Sequence, residues 1–351
     1  MLNKLAIKNV KSFRDATIEF SQSGLTVLVG PNGSGKSTVL EAVSEVLRRW
    51  GSSSERLAAL LRRGSTELSI SASAEIGSVV PHGRIDFAFG TQGGLSAKLV
   101  LDSNEYVLWH GGSPDAIGTI GPGRISKDAV LKAAPEAKSF DVDLRALRHP
   151  LQPPTDRNPY VVDAPGIIQR LLDLRLGSDL HAFERLVADA QRIVPPLKGL
   201  SLKRSYDGVE KVERYGLQFD MTTGAGIDAS QMSEGTLLVV ALCTATRADS
   251  STVLLVDDID RALHPIAQRE LIRFLRATVK ARPIQVICTT HSPYVLGEFE
   301  YSEVRVLREV EGESRCIALD RGPEAERWMK ELDAGEYWSF MESKLFTQSR
   351  T

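Results

Sequence analysis

The stretch Gly30-Pro31-Asn32-Gly33-Ser34-Gly35-Lys36-Ser37-Thr38 spells G-x-x-x-x-G-K-[ST]. The apolar run Leu25–Val29 precedes it, and apolar residues at helical spacing follow it. A glycine-rich turn between a buried strand and a helix is the context in which this pattern cradles phosphate. Glycines let the backbone curl so that its N–H groups face phosphate oxygens, and the helix start adds a favourable dipole. Lys36 would reach the β- and γ-phosphates and the Ser37 hydroxyl would hold Mg²⁺. Asn32, Gly33, Ser34, Gly35 and Thr38 complete the expected nucleotide turn. The rival reading, a glycine turn with a surface lysine, fits poorly with a strand before it and an amphipathic helix after it. ATP and Mg²⁺ are therefore the expected ligands.

The periodicity around this motif reads as an α/β chain. Residues 5–10 and 16–20 form two strands joined by a turn, and the continuous apolar run 25–29 is a strand buried on both faces. Val39, Val43, Val46, Leu47 and Trp50 line one helical face, which Gly51 stops. From 66 to 109, short alternating segments separated by glycines read as an antiparallel meander, and 111–123 as a loop. Prolines 150, 153, 154, 159 and 165 mark an irregular stretch. Helical segments 167–176 and 180–194 follow, closed by Pro195-Pro196, and then strand-like 200–206 and 216–221. Segments 234–245, 252–256, 265–280 and 284–290 alternate helix and strand, the rhythm of a parallel, helix-covered sheet. The chain is expected to be a single head with lobes 1–140, 141–232 and 233–351.

Composition narrows the class. Of 351 residues, 42% are hydrophobic and 25% charged, the profile of a soluble globular protein rather than a disordered one. A net charge of -2 gives no whole-molecule attraction for nucleic acid or an anionic membrane. Cys243, Cys288 and Cys316 lie far apart, fit no zinc spacing and cannot all pair. Cys243 and Cys288 read as small core residues, and a reducing cytoplasm as the setting. No apolar run is long enough to span a membrane, and the first residues lack a signal-peptide core.

Three further motifs carry chemistry. In Thr252-Val253-Leu254-Leu255-Val256-Asp257-Asp258 a buried strand delivers Asp257 to its carboxyl end, where ligands bind in such sheets. Asp257 would serve magnesium, and Asp258 is placed to polarise an attacking water. A strand ending in a solvated acidic turn is the bland alternative, and the phosphate loop tips the balance. Ser233, Glu234 and Gly235 open an apolar helix; a serine and a glycine there can donate to phosphate, although Ser-x-Gly before a helix is more often only a cap. His291 follows a second buried strand, which would bring it to the sheet edge of Asp257. A lone histidine is more often structural.

Taken in order, these motifs resemble the ABC-type ATPase head. The set is phosphate loop, Ser-Glu-Gly-Thr, apolar strand with two acids, Leu263-His264-Pro265, then Thr290-His291-Ser292-Pro293. Within that group the chain resembles the branch of SMC proteins, RecF and OLD-like ATPases of bacterial defence and repair. Ile7-Lys8-Asn9-Val10-Lys11-Ser12-Phe13 resembles that branch's opening strand. Phe183 to Val194 with its two prolines, and Ala334-Gly335-Glu336-Tyr337-Trp338, also look typical. The resemblance implies a mixed, largely parallel, helix-covered sheet with an antiparallel β subdomain and a helical subdomain. It implies that Lys36, Ser37 and Asp257 bind nucleotide and magnesium, that Asp258 holds the catalytic-base position, and that His291 contacts the γ-phosphate. Ser233, Glu234 and Gly235 would close over the partner protomer's nucleotide, and Lys11 would approach the phosphates. Gln152 and Gln169 are the candidates for the family's Q-loop. The base position usually carries Glu, and here it is one methylene shorter.

The resulting expectation is a cytoplasmic ATPase that forms a homodimer, or a higher oligomer, around two ATP-Mg. It would drive a nucleic-acid-related or anti-phage defence partner. Residues 292–351 leave no room for a nuclease domain, so a nuclease or toxin would be a separate chain. Two other classes stand beside this one. An assembly scaffold that hydrolyses little is favoured by Asp258. A transporter subunit is disfavoured by the long stretch 39–232 between phosphate loop and signature.

Overall fold

The structure is a computed structural model. It describes residues 1–48, 54–76, 82–90, 94–101, 104–110, 119–120, 125–156, 158–207, 211–247, 252–321 and 325–348. By contact the chain divides into two compact units. The first comprises Met1–Lys138, Asp249–Ile259 and Val279–Thr351; the second comprises Ser139–Ala248 and Asp260–Thr278. The signature helix therefore groups with the helical segments before it, and the strand of Asp257 groups with the phosphate loop.

The first unit carries most strands of two large sheets. Its strands begin with β1 (Leu2–Val10), β2 (Phe13–Glu19) and β3 (Leu25–Val29), followed by helix α1 (Lys36–Val46). The meander then supplies β4 (Ser69–Glu75), β5 (Arg84–Gly90), β6 (Gly94–Leu101) and β7 (Asn104–His110). These meander strands are antiparallel, as the alternation implies. They are not a separate layer, because β1 pairs with β2 on one side and β4 on the other. The result is a six-stranded sheet ordered β2-β1-β4-β5-β6-β7. Along β4 the alternation buries Ile70, Ala72 and Ala74. The 111–123 loop lies largely outside the described residues; its Thr119–Ile120 pairs with Ile125–Ser126 just beyond it.

In the second sheet the strands Thr252–Val256, Ile284–Thr289, β3, Val304–Val310 and Glu313–Ala318 are successive neighbours. The first four run parallel and the last antiparallel. Every residue of Thr252–Val256, Ile284–Thr289 and β3 is buried, as a sheet covered on both faces requires. The hairpin Val304–Ala318 was not anticipated from the sequence. Helix α1 packs between the sheets: Val39, Val43, Val46 and Leu47 join one core with Ile70, Phe87 and Leu99 of the first and Leu28, Leu255 and Ile287 of the second. Trp50 and Gly51, expected to end this helix, lie outside the described residues.

In the second unit the helices Ala164–Leu176, Ala182–Ile193 and Glu234–Ala245 pack on one another. Asp163 caps the first by accepting from the Gly166 N–H at 2.8 Å. Ile167, Ile168, Leu171, Leu186 and Ala190 are essentially inaccessible, and Arg247 pairs with Asp189. The strands Leu197–Asp207, Val212–Met221 and Gly224–Asp228 form an antiparallel sheet.

Cys243 and Cys288 are buried, as expected. Burial pushes the Cys243 thiol far above its usual range and that of Cys316 up to about 12, so neither is a thiolate at neutral pH. Among the described residues no helix is long and apolar enough to cross a membrane.

Candidate active site

The parallel registers Val256↔Cys288 and Thr289↔Leu28 align the carboxyl ends of three buried strands. Their continuations carry Asp257, His291 and Gly30, which gathers residues far apart in sequence at one edge.

The phosphate loop is shaped by close packing. A Cβ on Gly30 would lie 2.1 Å from the Leu307 carbonyl oxygen. One on Gly35, where φ is +101°, would lie 2.6 Å from the Phe13 ring. Both positions require glycine. Gly35 also precedes the first turn of α1, whose N–H groups have no side-chain cap. Lys36 is 7% exposed and its Nζ donates to the carbonyls of Gly30 (2.8 Å) and Pro31 (3.1 Å). The buried Ser34 Oγ has no hydrogen-bond partner among the described residues. Such an orphaned hydroxyl inside a loop of inward-curling backbone fits a ligand that brings acceptor oxygens. Asn32, Gly33 and Ser37 are exposed, while Thr38 is buried.

Asp257 closes the site from the other side. Ser37 Oγ donates to its Oδ2 at 2.8 Å. Thr289 Oγ1 donates to its Oδ1 at 2.5 Å and accepts from the Asp258 N–H at 2.8 Å. The Thr289 carbonyl accepts from the Ile259 N–H at 3.1 Å. One threonine thus orients Asp257 and pins the turn that presents Asp258. This residue escapes sequence reasoning; its signal was its place just before Thr290-His291-Ser292-Pro293. Asp258 has φ of +49°, a left-handed conformation that Asp tolerates better than most residues. Asp257, Asp258 and His291 are all exposed.

The hydroxyl of Ser37 and the carboxylate of Asp257 are hard oxygen donors in hydrogen-bond contact. Mg²⁺ takes such ligands, commonly one or two from protein with the rest from water and phosphate. Among the described residues no three His, Cys, Asp or Glu side chains converge on a metal position.

Lys11 lies in the turn between β1 and β2 at φ of +44°. Its ammonium pairs with Glu41 of α1. Ser12 is tied to Ser314 by Oγ–Oγ at 2.7 Å and by backbone at 3.0 Å, which brings the unanticipated hairpin beside Gly35. Ser233, Glu234 and Gly235 lie in the second unit. There Ser233 is the helix N-cap, accepting from the Thr236 N–H at 3.2 Å, and its side chain and that of Glu234 are exposed. Gln169 donates to Asp173 of its own helix at 2.8 Å, and Gln152 is exposed.

Fold and family matches together define the class: an ATPase of the AAA-domain family with an SMC-head-like fold. The chain belongs to the AAA-domain family described as "AAA domain, putative AbiEii toxin, Type IV TA system", whose model matches residues 100–297. A second AAA-domain model matches residues 4–94. The DNA double-strand break repair Rad50 ATPase of Methanopyrus kandleri is 49% identical over 47 residues, 13% of this chain and 5% of that protein. The chain thus spans a small fraction of that relative. The Septu protein PtuA of Bacillus thuringiensis is 20% identical across 96% of this chain and 80% of its own length. The crystal structure of an SmcHead bound to the C-winged helix domain of ScpA matches with a TM-score of 0.59 at 16% identity. That match covers 90% of this chain and 96% of the other.

Proposed function

We propose that this ATPase binds ATP-Mg between its phosphate loop and the Asp257 edge, dimerises around two nucleotides, and uses hydrolysis to gate a separate effector in a defence or nucleic-acid-related system. The observation that carries the reading is the contact between Ser37 and Asp257. A residue in the first turn of α1 meets one just beyond the end of the strand Thr252–Val256, where loop N–H groups and a helix start converge, the arrangement that phosphoryl transfer needs.

In this reading the loop N–H groups and Lys36 hold the β- and γ-phosphates, with Lys36 leaving the Gly30 and Pro31 carbonyls to do so. Ser37 and Asp257 would hold magnesium, which would supply charge neutralisation at the β- and γ-phosphates. Asp258 orients the attacking water and takes its proton, and His291 contacts the γ-phosphate. Lys11 reaches the phosphates after exchanging Glu41. Ser233, Glu234 and Gly235 serve the nucleotide of the opposite protomer. The defence setting is supported by the toxin–antitoxin description of the family and by the likeness to a Septu protein along nearly the whole chain. The second reading, an ATP-dependent assembly scaffold with little turnover, is favoured by the short Asp258 side chain.

Lys36→Ala tests the site itself. Removing the cation that pairs with the phosphates should abolish tight ATP binding in a nucleotide titration. Wild-type affinity would remove the phosphate-loop assignment. Turnover measured with and without DNA then separates an engine coupled to nucleic acid from a scaffold.

A further inference from the structure

The C-terminal helix Ala334–Gln348 lies against the turn that follows His291. The closest approach is at Gly335, where a Cβ would stand 2.1 Å from the Pro293 carbonyl oxygen and 3.0 Å from the Gly297 nitrogen. Both are backbone atoms, and they already bond each other, with the Gly297 N–H donating to the Pro293 carbonyl at 2.9 Å. They cannot step aside as a side chain would.

Other contacts hold the helix start in place. Asp333 accepts from the Glu336 N–H at 2.8 Å and donates its own N–H to the Glu336 carboxylate at 3.0 Å, a reciprocal cap. The Tyr301 hydroxyl donates to the carbonyls of Leu332 (3.1 Å) and Asp333 (3.3 Å). Its ring stacks on that of Tyr337, which is fully buried. Burial pushes the Tyr301 phenol up to about 12, so it remains a donor across the physiological range. Pro293 is two residues beyond His291, and the buried Thr290 is fixed to β3 through its N–H to the Leu28 carbonyl at 3.3 Å. The histidine thus sits on a short span clamped at both ends, by the sheet on one side and by the C-terminal helix on the other.

We propose that Gly335 and Tyr301 are positioning residues for ATP hydrolysis: they seat the C-terminal helix on the Pro293 carbonyl and so set the place of His291 at the catalytic edge. The inference rests on the reading of His291 as the γ-phosphate contact. A methyl group at 335 forces the two backbones apart by more than 1 Å, since ordinary contact begins near 3.4 Å and the methyl would stand at 2.1 Å. A misplacement of that size at a catalytic group costs on the order of 10²-fold in rate.

The test is a double-mutant cycle read by single-turnover hydrolysis on the whole chain. Gly335→Ala should slow hydrolysis about 10- to 100-fold. It should leave ADP affinity unchanged, because ADP lacks the phosphate that His291 would touch. Placed in a His291→Ala background, Gly335→Ala should cost nothing further, since two changes acting through one group are not additive. Full-rate hydrolysis by Gly335→Ala, or an equal loss in both backgrounds, overturns the proposal. If His291→Ala itself hydrolyses at the wild-type rate, it is the γ-phosphate reading that fails, and the brace falls with it. Should Gly335→Ala not fold, Tyr301→Phe carries the same cycle, because it keeps the ring stack and removes only the hydroxyl tie. A wild-type rate in that variant, or additivity with His291→Ala, is equally fatal.

Discussion

Asp258 combines a short side chain with a backbone conformation that selects for one. At φ of +49° its Cβ crowds the following carbonyl, a strain of roughly 1–2 kcal/mol that Asp relieves better than most residues. Thr289 fixes the turn by accepting from the Asp258 N–H, so the carboxylate must reach outward from a pinned main chain. Asp258→Asn is expected to keep ATP binding and lose about 10²–10⁴-fold in turnover, the usual cost of removing a positioned base. Unchanged hydrolysis would mean that another residue takes the proton. Asp258→Glu extends the reach by one methylene and is expected to speed hydrolysis while lowering stability by about 1 kcal/mol, through the left-handed turn. Thermal melting and phosphate release, measured together, read both effects. Thr289→Val is the companion change. It leaves Asp257 Oδ1 without its donor and the Asp258 N–H without its acceptor, and should cost about 1–3 kcal/mol of stability. It should also raise the magnesium concentration needed for half-maximal turnover; an unchanged requirement would argue that Thr289 does not orient Asp257.

At the scale of elements, what the sequence made legible follows from periodicity. The strands Leu25–Val29 and Thr252–Val256 and the helix Glu234–Ala245 have the bounds their apolar runs imply, because burial on every side leaves no room for polar interruption. The meander was equally legible from its alternation. The hairpin Val304–Ala318 was not, and Arg305 shows why. It stands in a strand parallel to β3, is 6% exposed, and breaks the apolar run such a strand usually shows. Its guanidinium is satisfied by the carbonyls of Glu19, Ser302 and Val304, partners no local pattern announces. The site divides the same way. Ser37 and Asp257, which meet in the candidate site, stand in motifs that the sequence displays, whereas Thr289 and Gly335 make contacts that arise only on folding. Phe13 joins the two categories: it belongs to the opening strand motif, yet its importance comes from packing on Gly35. Phe13→Ala should cost about 3–5 kcal/mol, as large-to-small changes at fully buried aromatics do. It should also weaken nucleotide binding by loosening the loop. Denaturant unfolding with and without ADP measures both, and an unchanged ligand-induced stabilisation would show that the loop holds its shape without the ring.

For the whole molecule, the central expectation is that each active site is completed by a second copy. Ser233 opens a helix of one unit and Lys36 a helix of the other, and under the proposed function the two motifs would act on different nucleotides. A head-to-tail pair related by a two-fold axis would then enclose two ATP molecules at a self-complementary interface. Among the described residues the exposed Ser233 side chain bonds only Thr236, so Ser233→Arg adds bulk and charge without disturbing the core. That variant is expected to bind ATP as a monomer yet neither dimerise nor hydrolyse, read by nucleotide titration and light scattering. Mixing it with Lys36→Ala is more discriminating. In a mixed dimer one site carries both defects and the other carries neither, so part of the wild-type turnover should return. Two inactive variants that remain inactive in demonstrated mixed dimers would mean that both sites must fire together or that the site is not shared. Normal hydrolysis by Ser233→Arg as a monomer would dispose of the shared site altogether, because a chain that completes its own catalytic centre has no need of a partner's signature.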